Sequence, residues 1–159
     1  MAGTRKLLKS GIRSEHLNQR DAGFEYEKND CAVKALMAVT GVPYRDAHAW
    51  SAVHFARKDC GAAMLWDKAL GAHAQQALTI FGYRVYEQPA PAIERPNGYK
   101  NYGTLAQFVR THSKGRFLLS STSHAFALID GVVYDNGAAG AKTRVTYKVY
   151  ELKPSSQCV

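Results

Sequence analysis

Cys31, His124 and Asp135 are the three side chains whose types and surroundings suit nucleophilic chemistry. Cys31 follows Asn29-Asp30, either of which can cap a helix N-terminus, and opens the run Cys-Ala-Val-Lys-Ala-Leu-Met-Ala-Val-Thr. A sulfur in the first turn of a helix sits at the positive end of the helix dipole, which favours thiolate over thiol. Such a nucleophile needs a base, and the base needs a group that orients it. One predicted hairpin supplies both. His124–Ile129 and Val132–Asp135 flank Asp130-Gly131, a dipeptide that favours a type I′ turn. With those two residues as the turn, Ile129 pairs with Val132, Phe126 with Asp135 and His124 with Gly137. His124 and Asp135 are then diagonal neighbours on one face, within reach of a bond from Nδ1–H to the carboxylate. Asn136 falls opposite Ala125 on the other face, so Asp135 is the expected orienting residue, a choice that a one-residue bulge would reverse.

Other reactive residues read more simply. Cys60 lies in the predicted turn Lys58-Asp59-Cys60-Gly61, and Cys158 lies at the chain end. His48, His54 and Cys60 make a poor zinc set, because two helical residues six apart point about 120° away from each other. No metal site is expected. Ser120-Ser121-Thr122-Ser123 lacks the Gly-x-Ser-x-Gly of a nucleophile elbow, and its hydroxyls are expected to satisfy backbone groups at a strand end. Tyr99 and Tyr102, in Asn97-Gly-Tyr-Lys-Asn-Tyr-Gly103, are candidates for contact with substrate from a loop bordering the cleft. The same interleaving of aromatics with a base suits a platform for single-stranded nucleic acid, the weaker reading here.

The elements that must position these residues are legible in outline. The Cys31–Thr40 run carries one charge, Lys34, and is apolar nearly all round, the pattern of a buried helix; Gly41 ends it and Pro43 forbids its continuation. A second helix is expected over 44–57, with Trp50, Val53, Ala47 and Ala49 facing inward, and a third over 72–81 ending at Gly82. Tyr83–Tyr86 alternates as a short strand, and three prolines make 88–102 a long loop. A helix over 104–111 leads into a strand over 116–120, then the hairpin, then a last strand over 143–152. Helices first and antiparallel strands after them describe an α+β domain. Residues 1–23 read as a basic, loosely held arm with a short helix near 13–18, residues 24–153 as the domain, and 154–159 as a tail.

With those residues in place, the chain resembles the papain-like cysteine peptidases of the small type encoded by bacteriophages, related to the bacteriocin-leader peptidase group. The resemblance rests on Asn29-Asp-Cys-Ala-Val-Lys-Ala-Leu36 and Thr40-Gly-Val-Pro-Tyr44, on Gly103–Val109 and Lys114–Leu119, and on His124–Asp135, spanning roughly 24–136. It implies a buried helix carrying the cysteine packed on a C-terminal antiparallel sheet. It implies hydrolysis of a peptide or isopeptide bond, with Cys31 as nucleophile, His124 as general base and acid, Asp135 orienting the imidazole, and no cofactor. In the family the oxyanion is held by the nucleophile's backbone N–H and usually by a glutamine about six residues upstream; here that position is Glu25. A carboxylate there repels the oxyanion unless it is protonated, so either the Asn29 amide serves as the substitute donor or turnover is slow. The glycine-rich signature around the cysteine of mature papain and the cathepsins is absent.

Composition bounds these readings. The chain has 159 residues, 46% hydrophobic and 21% charged, which suits one globular domain and excludes disorder throughout. No apolar run approaches the roughly 18–20 residues that cross a bilayer, so no membrane partner is expected. The basic residues near the start lack the apolar stretch of a secretory signal, and three widely spaced cysteines suit a reducing compartment. Cytoplasmic residence follows, in the host cytoplasm or the virion if a phage encodes the chain. Part of the formal charge of +8 sits in the arm, where residues 1–20 carry Arg5, Lys6, Lys9, Arg13 and Arg20 against Glu15 alone. Two rival readings remain: a binding module on the same scaffold with its oxyanion hole spoiled by Glu25, acting as an inhibitor or virion component, and a nucleic-acid-associated protein that uses the basic arm.

Overall fold

The computed structural model describes residues 5–7, 13–16, 24, 30–54, 78–122, 124–135 and 139–155. The described helices are α1 (Cys31–Thr40) and α2 (Tyr44–His54), which follow two short strands, and α3 (Leu105–Thr111), which falls between later strands. The strands are β1 (Arg5–Leu7), β2 (Arg13–His16), β3 (Thr79–Ile80), β4 (Tyr83–Pro89), β5 (Ala92–Glu94), β6 (Lys100–Tyr102), β7 (Arg116–Ser120), β8 (Ala125–Ile129), β9 (Val132–Asp135) and β10 (Lys148–Pro154). Eight of them form one sheet in the order β1-β2-β9-β8-β7-β10-β4-β3, and β5 and β6 form a separate hairpin. All pairings in the large sheet are antiparallel except β2 with β9. The architecture is α+β.

Each face of the sheet covers a core. On one face α1 packs Ala32, Val33, Ala35, Leu36 and Val39 against Leu118, Ala125, Ala127, Tyr150 and Leu152. On the other, Leu105 and Phe108 of α3 pack on Phe117, Leu119, Phe126, Leu128, Val133 and Val149. The alternation along β7 and β8 assigns these residues to opposite faces, as a period of two requires. Burial all round α1 follows from its composition, and Gly41 closes it in the left-handed conformation with its N–H on Met37 O at 2.9 Å. Arg116 of β7 donates from Nη1 to Val39 O at 2.9 Å, so the C-terminus of α1 lies at the start of β7. The N-terminus, with Cys31, therefore lies at the other end of that strand.

Asp130 and Gly131 both take positive φ (47° and 79°), and Ile129 pairs with Val132, the register counted from the sequence. Several expectations are corrected. Thr79-Ile80 is a strand rather than the end of a helix; Phe81 and Gly82, with φ of 46° and 83°, turn it back into β4 with Ile80 opposite Tyr83. Gly82 is thus a hairpin glycine, not a helix cap; positions 72–77 of the expected helix lie outside the described residues. The inner face of α2 is Tyr44, Ala47, His48 and Ser51, at the i, i+3, i+4, i+7 spacing, whereas Val53 is 78% exposed and Ala49 is exposed. The described part of α2 ends at His54, and 55–57 lie outside it. The expected loop 88–102 contains the end of β4 and the hairpin β5–β6.

The last strand begins at Lys148, not at Thr143. Tyr147 adopts φ 63°, which breaks the alternation, and the preceding backbone bonds elsewhere: Leu105 N–H to Thr143 O, Val145 N–H to Gly103 O, and Thr146 N–H to Ser120 O. Within the expected basic arm, Arg13–His16 is a strand, not a helix, and pairs in parallel with β9. That pairing satisfies backbone groups that β9 would otherwise present as a sheet edge. The tail residues 156–159 lie outside the described residues, and β10 runs to Pro154.

Candidate active site

The site is built where the N-terminus of α1 meets the start of β8 and the end of β9. Asp30 occupies the N-cap position without a side-chain capping bond, and Cys31 follows as the first helical residue. His124 immediately precedes β8, its ring stacked on Phe126 at 5.8 Å between centroids. Phe126 is fully buried, so the imidazole rests on a fixed surface. Asp135 ends β9, 4% exposed, and the register puts it opposite Phe126. The structure brings all three together: His124 is hydrogen-bonded to both Cys31 and Asp135.

The ring is oriented the opposite way from the sequence expectation. Nε2, not Nδ1, bonds Asp135 Oδ1. Nδ1 is therefore the nitrogen left for Cys31. The diagonal reach was counted correctly, but strand register says nothing about which ring edge faces the carboxylate. That choice follows from the side chain's approach, over the end of the sheet toward α1. The other carboxylate oxygen, Oδ2, accepts the Ala139 N–H at 2.6 Å. Asp135 is thus held between a strand and the chain segment after it, and the Ala139 contact carries no sequence signal, since any residue supplies an N–H.

The electrostatics follow from these contacts. Burial alone would raise the Cys31 thiol, but the hydrogen bond and charge of His124, with the N–H groups of Ala125 and Ala32, bring it below the ordinary value. Burial would likewise lower His124, but Asp135 and Cys31 together push it up to about 9. The opposed shifts favour the thiolate–imidazolium form of the pair over the neutral one. Cys31 carries a free thiol.

Beside the sulfur lies a buried polar group that sequence reading reduced to a cap. Asp30 Oδ2 accepts from Tyr44 Oη at 2.8 Å, and Oδ1 lies 3.7 Å from Lys34 Nζ. All three residues are buried. Tyr44 also packs edge-on against Phe24, and His48 lies against both rings. The phenol ties α2 to the first turn of α1. Tyr44→Phe removes a donor from a buried carboxylate and is expected to cost about 1–3 kcal/mol, read as a fall of several degrees in the thermal midpoint by calorimetry.

The remaining candidates lie elsewhere. Glu25, Asn29, Asn136, Cys60 and Cys158 are outside the described residues. Tyr99, 73% exposed, sits in the β5–β6 connection; Tyr102 of β6 lines a hollow of about 350 Å³ with Pro91, Phe108, Arg144 and Val145. None of Cys31, His124 or Asp135 lines that hollow. Their segment packs toward the α3 core because Tyr102 is anchored there. His48 is buried among aromatic rings, and His54 is stacked on Trp50 at 4.1 Å. Among the described residues, no group of three His, Cys, Asp or Glu side chains is placed to hold a metal ion. No described helix is long and apolar enough to cross a membrane. Comparison with protein-family models, with curated proteins and with solved structures finds no match.

Proposed function

We propose that the chain is a papain-like thiol hydrolase that cleaves a peptide or isopeptide bond through Cys31, His124 and Asp135. The observation that carries this reading is one imidazole hydrogen-bonded at once to a cysteine at a helix N-terminus and to a buried carboxylate. Buried structural cysteines have no use for a base, and a base without an orienting group is rarely fixed in one pose. The thiolate of Cys31 attacks the substrate carbonyl carbon, forming the C–S bond and moving the π electrons onto oxygen. Collapse of that intermediate breaks the C–N bond, and Nδ1–H of His124 gives its proton to the departing amine. Neutral His124 then takes a proton from water as its oxygen attacks the thioester. Breakdown of the second intermediate releases the acid and restores the ion pair. The Cys31 backbone N–H, in the first turn of α1 where no intrahelical acceptor exists, is the donor available to the oxyanion.

Asp135 holds Nε2 throughout, so the ring keeps Nδ1 toward the sulfur. The chemistry asks nothing of a cofactor. A reducing cytoplasm suits the free thiol, and the substrate is a polypeptide.

The reading is tested on the unmodified protein with iodoacetamide at about pH 6. An ordinary thiol is mostly protonated there, whereas the lowered pKa of Cys31 gives it a larger thiolate fraction. Alkylation mapped to Cys31 is expected roughly tenfold to a hundredfold faster in the folded protein than in urea, after allowing for the lower nucleophilicity of an acidic thiol. Equal rates folded and unfolded would remove the case for an activated sulfur.

A further inference from the structure

Among the described residues, two buried side-chain oxygens have no hydrogen-bond partner, Ser120 Oγ and Glu87 Oε2. Native proteins rarely leave such atoms unpaired, because each forfeits its bond to water and gains nothing in return. The hydroxyl of Ser120, expected to satisfy backbone at a strand end, does not do so. Instead the Ser120 carbonyl accepts from Thr146, and the side chain, 2% exposed, is left over.

Both oxygens belong to the catalytic face and end of the sheet. Leu118 packs with α1, and Ser120, two residues on, shares its face. Ser120 is directly opposite Ala125, whose N–H reaches the Cys31 sulfur. Directly paired residues have Cβ atoms about 4.5–5.5 Å apart, so Ser120 lies beneath the first turn of α1. Beyond it, β10 contributes Lys148, on the same face as the buried Tyr150 two residues later. Glu87 of β4 is opposite Tyr150, and Lys148 Nζ pairs with its Oε1. β4 is two strands from β7, about 10 Å at the ordinary spacing, the span of a few extended residues. Ser120, Lys148 and Glu87 thus form a polar shelf leading away from the sulfur. At its outer end the Lys148 side chain is 46% and the Glu87 side chain 19% exposed.

The geometry points to this shelf as a specificity subsite that receives a carboxamide side chain, glutamine or asparagine, from a substrate residue on the acyl side of the bond cleaved. The inference rests on the thiol-hydrolase reading above and adds the substrate class. Lys148 already neutralises Glu87 through Oε1, so a cationic side chain would leave an uncompensated charge and a carboxylate would meet Glu87 itself. An aliphatic side chain would leave both oxygens unpaired, the arrangement by which a hydrogen-bonding site rejects an apolar analogue. A carboxamide has both complements: its N–H donates to Glu87 Oε2, and its oxygen accepts from Ser120 Oγ–H.

Peptidyl vinyl sulfones test this. In each, one of the two residues before the electrophilic carbon is Gln, Asn, Leu, Lys or Glu and the other is Ala, and the rate of covalent capture is followed by intact mass with Cys31 mapped. Iodoacetamide rates measured in parallel on every variant normalise for any change in the thiol. The Gln or Asn probe is expected to react about tenfold faster or more than the Leu, Lys and Glu probes. Ser120→Ala and Glu87→Gln are each expected to reduce that preference to about threefold or less. Equal capture of all probes, a preference for Leu, Lys or Glu, or a carboxamide preference intact in both variants overturns the subsite while leaving the hydrolase standing. Failure of every probe on a Cys31 that iodoacetamide still alkylates removes the hydrolase reading, and the subsite with it.

Discussion

His124→Ala is expected to lower alkylation of Cys31 at about pH 6 by roughly ten- to a hundredfold and cleavage of any peptide substrate by about a thousandfold or more. The first loss comes from the thiol alone. Burial of Cys31 favours the neutral form, and the largest opposing influence is the His124 hydrogen bond. Without the ring, the N–H groups of Ala125 and Ala32 remain, but the positive charge does not. The pH profile of alkylation should then move from an acid-shifted plateau to a single rise at or above the ordinary thiol value of about 8.5. The second loss adds the missing proton donor for the leaving amine, which is worth about 10²–10⁴ by itself. Because alanine also strips a partner from a buried carboxylate, His124→Gln serves as companion. It fills the space and can donate to Asp135, yet it cannot carry the charge. Alkylation at pH 6 as fast in both variants as in the parent would show that His124 does not activate the sulfur.

The parts of this site that were legible in the sequence are those fixed by local rules. A type I′ dipeptide sets the register, the register sets the face, and the face brings His124 within reach of Asp135. The apolar run from Cys31 to Thr40 dictates a buried helix, which places the sulfur at its start. What local rules leave open is anything decided by approach from a distance. The tautomeric edge of His124 depends on how the ring crosses the sheet end, and the Ala139 N–H on Asp135 depends on where the chain turns after β9. Phe81-Gly82 shows the reverse case. A glycine following an apolar stretch suits a helix end as well as a hairpin, and only pairing of Thr79-Ile80 with β4 decides between them. The strand Arg13–His16 was hidden for a similar reason: its partner β9 lies more than a hundred residues away in the chain. Asp30 was read as a cap because the residue type suits one, whereas its carboxylate turns to Tyr44, a residue on another helix.

Asp135→Asn separates the orienting role of this residue from its charge. The amide oxygen can still accept from Nε2–H of His124, so the ring keeps its pose, but the carboxylate that holds the imidazolium is gone. His124, now at about 9, would fall toward and below the ordinary histidine value of about 6.5, because burial then acts with little opposition. Loss of the imidazolium in turn raises Cys31, whose lowered pKa depends on that charge. In the parent, the active ion pair persists from the thiol's pKa up to about 9, and activity falls as pH rises through that upper limit. In the variant the two limits approach and cross. At about pH 7.5 no more than roughly a tenth of the ring carries a proton, so kcat/KM falls tenfold or more from protonation alone. Near pH 6 part of the loss should be recovered. A structural role for Asp135 would lower activity by the same factor at every pH, with both limits unmoved. An unchanged upper limit near 9 in Asp135→Asn would therefore mean that some other group supports the imidazolium. With its oxygen on His124, the Asp135→Asn amide turns its NH2 toward the Ala139 N–H, so this variant, like Asp135→Ala, loses the 2.6 Å acceptor, and the thermal midpoint should fall in both. Asp135→Ala is expected to be worse because it also loses the bond that orients the ring.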